Sequence, residues 1–157
     1  MKAEDVPFLP TKVVVDTYEP AGVFDHLQEW GLGAGKKYPL PFGDYWIRGR
    51  DGRLVVVERK HNDLASQWPR RLAMQLTKCR DGGADEIVLL VEGILDHDEE
   101  TGRLRIPRRG LRKVWYDQVW GTILGWQETR GLKVYQCAEG EVEVARAVRG
   151  IYRHYRR

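Results

Sequence analysis

The sequence predicts a three-layer α/β domain around a mixed central sheet that is parallel except for one antiparallel hairpin. Three observations carry this. The apolar runs Val13–Val15 and Ile87–Val91 show no alternation, which suits strands covered on both faces. Helical patterns stand between and after these runs, so strands alternate with helices along the chain. A pair of strand patterns flanks Asp51-Gly52, the signature of a hairpin.

The elements follow in order. Val13-Val14-Val15 ends at Asp16 and reads as a buried strand. Pro20 opens a helix that presents Phe24, Leu27 and Trp30 and stops at Gly31. Two strands run roughly from Asp44 to Arg48 and from Arg53 to Lys60. Asp63 is placed to cap a short turn. Pro69 then starts a helix with Leu72, Leu76 and Cys79 on its buried stripe, ended by Gly82-Gly83. After the strand Ile87–Val91, the stretch from Asp96 to Arg112 is polar and basic and reads as a surface excursion. A helix from about Lys113 to Thr129 follows, then a strand from Leu132 to Cys137. The last helix carries Val144, Val148, Ile151 and Tyr155 at helical spacing. At 157 residues, the chain is expected to form one domain over residues 1–157.

Composition narrows the function classes. The chain is 42% hydrophobic and 31% charged, which suits a soluble domain with a heavily charged surface. The net charge of +3 is small, but its distribution is uneven. Arg103, Arg105, Arg108, Arg109, Arg112 and Lys113 form a run with no acid among them, a pattern that attracts phosphate or is simply a solvated loop. Two cysteines, Cys79 and Cys137, are too few for a disulfide framework or a zinc site. No apolar run approaches membrane length, and Met1–Pro10 lacks the pattern of a leader. A cytoplasmic protein is expected, nucleoid-associated if prokaryotic or phage, with no membrane partner.

The hairpin carries the chemistry. Glu58 and Lys60 share one strand face and Arg59 points to the other. A two-residue turn at Asp51-Gly52 would set Asp44 opposite Arg59. A three-residue loop, Arg50-Asp51-Gly52 with Gly52 left-handed, pairs Gly49 with Arg53 and sets Asp44 opposite Glu58. A bulge near Asp44 would give the same convergence. Two adjacent carboxylates repel, and a hard cation such as Mg²⁺ relieves that repulsion while retaining waters. A lysine two residues away stabilises charge in a transition state. Asp, Glu and Lys on a hairpin are also common as plain surface residues.

Beyond these properties, GDYWI, VVVERKHNDL, RLAMQL and IVLLVEG resemble the nuclease domain of XPF-type structure-specific endonucleases, in the PD-(D/E)XK superfamily. The later GLKVYQCAEGEVEVARAV is similar to that family's last strand and helix. The resemblance covers most of the chain, without the family's helix-hairpin-helix module. It implies a restriction-endonuclease-like fold and a metal-dependent DNA endonuclease acting on branched, flap or junction DNA in repair or recombination. It also implies Mg²⁺, with Mn²⁺ substituting, on Asp44, Glu58 and the Arg59 carbonyl. Lys60 becomes the catalytic lysine, with Asp16 and Glu19 bordering the site as further catalytic residues. Arg59, Arg71, Gln75 and the basic run Arg103, Arg105, Arg108, Arg109, Arg112 and Lys113 become DNA contacts.

The chain departs from the family pattern at two points. Tyr18 stands where VDxRE has arginine, and only His61 and Asn62 separate Lys60 from Asp63, where the family has three residues. An alternative reading is a catalytically inactive DNA-binding or partner-stabilising subunit; such members typically lose the GDY and ERK acids, which this chain keeps. Trp115, Trp120 and Trp126 are expected in the one helix from about Lys113 to Thr129, which is apolar around much of its circumference and so belongs in a core or an interface. The resemblance favours a homodimer through the C-terminal helices and last strand, or a heterodimer.

Overall fold

Five strands form the central sheet of the computed structural model, which describes Val6, residues 11–106 and residues 109–157. They are β1 (Val14–Val15), β2 (Tyr45–Arg48), β3 (Leu54–Lys60), β4 (Glu86–Glu92) and a late strand, Lys133–Cys137, in the order in which they pair. β2 is antiparallel to both β1 and β3, and the remaining pairs are parallel. The mixed sheet with one reversed strand is therefore as the sequence predicts.

Helices cover both faces because β2, β3 and β4 are apolar on both. Tyr45, Ile47, Val55, Val57, Val88 and Leu90 pack on α1 (Ala21–Glu29) through Val23 and Leu27. The C-terminal helix, Glu141–Tyr155, covers the same face through Val144, Val148 and Ile151. The opposite residues Trp46, Val56, Leu89 and Val91 meet Leu72, Leu76 and Cys79 of α2 (Arg70–Asp81). They also share a core with Val119, Ile123 and Trp126 of a third helix, Tyr116–Arg130. Each side chain buried this way contributes roughly 1.5–3 kcal/mol, so the sheet is held from both sides.

The basic stretch differs from expectation. It folds as a three-stranded antiparallel sheet, β5 (Asp96–His97), β6 (Arg103–Ile106) and β7 (Gly110–Trp115), and not as an irregular excursion. The reason is a short alternation: Arg103 and Arg105 are exposed, while Leu104 and Ile106 are buried in the α2-side core. β7 takes residues 110–115, so the third helix, α3, begins at Tyr116 and Trp115 lies on the strand, 48% exposed. Trp126 is buried against Trp68, with ring centroids 5.9 Å apart. Beyond α3 come β8 (Lys133–Cys137), at the sheet edge, and α4 (Glu141–Tyr155).

The hairpin register decides where the acids fall. Tyr45 pairs with Val57 and Arg48 with Leu54, and the Gly49 N–H donates to the Arg53 carbonyl at 2.9 Å. The loop is thus the three residues 50–52, with Gly52 at φ 86°. The ladder ends with Tyr45 opposite Val57. The Asp44 N–H also reaches the Val57 carbonyl at 2.8 Å, so the strand bulges at Asp44 and brings it beside Glu58 by that irregularity. The chain enters β2 through Gly43 at φ 68°, where a Cβ would lie 2.2 Å from a Val56 methyl. Both backbone and space therefore demand glycine before Asp44. Gly43→Ala should lower stability by about 2–4 kcal/mol, from left-handed strain plus overpacking. Urea unfolding checks this, and an unchanged midpoint would contradict it.

Candidate active site

Asp44, Glu58 and Lys60 converge because residues 46, 56, 58 and 60 share the α2-facing side of the sheet. Trp46 and Val56 lie in the apolar layer there, and Glu58 and Lys60 continue β3 beyond it. Glu58 and Lys60 are both almost fully buried, at 3% and 5% exposure. Lys60 Nζ lies 2.8 Å from Glu58 Oε1 and 3.6 Å from Asp63 Oδ2. The Arg59 N–H donates to Asp44 Oδ2 at 2.5 Å, and the Asp44 N–H donates to the Val57 carbonyl at 2.8 Å. An extended residue turns its N–H and C=O to the same strand edge, so the Arg59 carbonyl faces the Asp44 side.

These groups open into a cleft of about 540 Å³. Asp16, Glu19, Arg59, Arg71 and Gln75 also line it, so the sequence-derived catalytic set and three of the DNA-contact candidates meet there. Arg71 and Gln75, one helical turn apart on α2, face the cleft together. Gln75 Oε1 is buried without a hydrogen-bond partner among the described residues.

The two N-terminal acids are already engaged. The Arg59 side chain crosses to the other sheet face, where its Nε donates to Glu19 Oε2 at 2.8 Å and its Nη1 to Glu92. The Tyr45 hydroxyl also donates to Glu19. Glu92 Oε1 in turn accepts the Gly140 N–H at 3.0 Å, at the start of α4. Asp16 accepts the N–H groups of Tyr18 at 2.9 Å and Leu40 at 2.8 Å. Both acids thereby brace the cleft wall.

Charge at the site is unbalanced. Burial first, then the negative charges of Glu58 and Glu19, push the Asp44 carboxyl up to about 8, against the opposing Arg59 N–H and Lys60. Burial also raises Glu58 above the usual carboxylate range, although the Lys60 ammonium opposes it. Burial works against the Lys60 ammonium, but Glu58 beside it more than offsets this, and its pKa lies above the ordinary lysine value. Arg59 behaves likewise: burial works against its charge, and Glu19 outweighs it.

Two buried carboxylates that resist joint ionisation form a donor set suited to a hard divalent cation. Among the described residues, no group of three or more His, Cys, Asp or Glu side chains could hold a metal ion. Asp44 and Glu58 offer oxygen donors of the kind that Mg²⁺ accepts.

The basic candidates lie apart from these acids. Arg103, Arg105, Arg109 and Lys113 are exposed on the small sheet and its turn, and Arg108 lies outside the described residues. Arg105 is paired with Asp98 at 2.8 Å. Arg112 turns inward, its Nη2 reaching the Asn62 carbonyl at 3.5 Å, and Asn62 lines the cleft. Sequence reasoning had no place for Tyr45 and Glu92 in the site, because their roles depend on Arg59 reaching partners many residues away. Asp63 had a local signal, its i,i+3 spacing from Lys60.

The architecture is restriction-endonuclease-like, with the clustered acids and lysine at one end of the sheet. More particularly, it is the fold seen in XPF. XPF from Aeropyrum pernix superposes with a TM-score of 0.69 at 22% identity, covering 93% of this chain and 62% of that one. XPF from Aeropyrum pernix in complex with DNA superposes with a TM-score of 0.65 at 20% identity, covering 92% and 64%. The chain thus spans less than two thirds of these structures. No protein-family model and no curated protein matches the chain. No helix among the described residues is long and apolar enough to cross a membrane.

The raised Asp44 pKa has a consequence for stability. Without a cation, the folded protein between pH about 4 and 8 holds a proton that the unfolded chain has released. Stability from this group is full at low pH and lost as pH rises through about 8. At pH 8 without divalent cation, Asp44→Asn should therefore raise Tm by about 3 °C or more, and by less at pH 5. Mg²⁺ should raise the wild-type Tm and leave that of Asp44→Asn nearly unchanged. Scanning calorimetry checks both, and a variant less stable than wild type at pH 8 without metal would contradict the account.

Proposed function

We propose that this chain is a divalent-metal-dependent DNA endonuclease that hydrolyses phosphodiester bonds, with branched, flap or junction DNA as its substrate. The observation that carries this reading is the meeting of Asp44, Glu58 and Lys60 in one open cleft. Asp44 and Glu58, with the Arg59 carbonyl, would hold Mg²⁺ or Mn²⁺. Such a metal, when bound, supplies neutralisation of the phosphate and a water of lowered pKa. Lys60 remains an ammonium at neutral pH, because its pKa is raised. It therefore stabilises charge developing on phosphate oxygens and does not take up a proton. Glu19 and Glu92 act through Arg59, holding β3 so that its N–H stays on Asp44.

DNA approaches a cleft whose own wall is acidic, so grip comes from its margins. Arg71 stands at the cleft, and Arg112 ties β7 to the cleft lip through Asn62. Exposed Arg103, Arg105, Arg109 and Lys113 then extend the positive surface, each phosphate contact adding about −0.9 to the log–log salt slope. The branched-substrate preference and a repair or recombination role follow from the XPF-type resemblance, as does a cytoplasmic or nucleoid location. A dimer is part of the reading: among the described residues β8 pairs with β4 alone and leaves an edge, with Tyr135 44% exposed. An apolar hollow of about 260 Å³ lies between this strand and Ile151 and Tyr155 of α4. Such an edge is stable when another chain covers it.

The test is cleavage of labelled flap, fork, four-way junction and plain duplex DNA with Mg²⁺, Mn²⁺ or chelator. Asp44→Ala and Lys60→Ala should each lose about 100-fold or more of the metal-dependent rate. Cleavage retained by both variants would overturn the assigned site. Tight binding without cleavage of any substrate would leave the inactive-subunit reading.

A further inference from the structure

Tyr18 is the most exposed large hydrophobic residue among those described, at 92%, and it stands at the lip of the catalytic cleft. Its backbone is the opposite of free. The Thr17 N–H donates to the Tyr38 carbonyl at 2.9 Å, the Tyr18 N–H to Asp16 Oδ2 at 2.9 Å and the Glu19 N–H to the Asp16 carbonyl at 3.2 Å. The acids on either side, Asp16 and Glu19, are buried at 7% exposure. A pinned turn thus holds an uncovered ring beside Asp44, Glu58 and Lys60.

The ring carries no charge and stands among carboxylates; its hydroxyl is the part able to meet a phosphate, a role that Tyr18→Phe removes. Its π-face suits a nucleobase, and an aromatic with two side-chain torsions loses little entropy on stacking. A base inside a duplex is already stacked on both sides, so the partner must be unpaired. We propose that Tyr18 stacks on an unpaired base next to the scissile phosphate and so selects DNA in which a single strand meets a duplex. This rests on the nuclease reading and names the substrate feature that the same cleft recognises. Tyr18 is a specificity residue and takes no part in moving protons.

The experiment uses forked DNA carrying 2-aminopurine at successive positions around the mapped cut, with wild type, Tyr18→Leu and Tyr18→Phe. In Ca²⁺, 2-aminopurine fluorescence should fall on binding wild type and Tyr18→Phe, but not Tyr18→Leu. In Mg²⁺, Tyr18→Leu should raise KM for the fork by about 5- to 150-fold, the span of one base–aromatic stack. Its kcat should stay near wild type, because uniform binding is what is lost. Tyr18→Phe should behave as wild type. Equal KM values for Tyr18→Leu and wild type, or fluorescence that does not respond to residue 18, would overturn the proposal. If no variant cleaves any substrate, the nuclease reading fails separately. The Ca²⁺ fluorescence then decides alone whether Tyr18 stacks on a base.

Discussion

The register of the β2–β3 hairpin is the constraint on which the rest of the structure depends. Shifted by one residue, every side chain of β2 would move to the opposite layer. Trp46 would leave the α2-side core and Tyr45 the α1-side core. The packing that stabilises the domain and the approach of Asp44 to Glu58 therefore depend on the same register. Gly52 permits the three-residue loop, and Gly43 permits the approach over Val56. Between them, and with the bulge at Asp44, they bring the two acids into one cleft where the apolar layer ends.

Placing charge there is costly. Glu58, Lys60, Glu19 and Glu92 are all under 9% exposed, and buried ion pairs rarely repay their desolvation. The arrangement is kept by geometry. Arg59 uses one strand position twice, its N–H holding Asp44 on one face and its guanidinium holding Glu19 and Glu92 on the other. Through Glu92 and the Gly140 N–H, the start of α4 is tied to the same residue. Removing the Arg59 side chain would strip two buried carboxylates of their guanidinium, leaving Glu19 the Tyr45 hydroxyl and Glu92 the Gly140 N–H, a heavier loss than the pair itself is worth.

Much of this was legible in the sequence for local reasons. Loop length and Gly52 put Asp44 near Glu58 and a bulge at Asp44 completes the approach, and all of these lie within residues 43–60. The apolar runs of β3 and β4 announced burial on both faces. The small sheet was harder to read, because its only periodic segment is Arg103–Ile106 and its β6–β7 ladder contains a register shift. α3 starts three residues later than the pattern predicts, because Lys113, Val114 and Trp115 suit a helix or a strand equally. The brace on Glu19 was out of reach for another reason: it joins residues 40 positions apart across the sheet. Nothing in a local pattern says that an arginine facing away from a site organises it.

The central claim is that the hairpin brings Asp44 and Glu58 together as one cation site. The most direct measurement is anomalous diffraction from crystals of the protein grown with Mn²⁺. The account predicts a manganese peak in contact with both carboxylates, on the side of the Arg59 carbonyl. A map with no peak between Asp44 and Glu58, while Lys60 still holds Glu58, would contradict it.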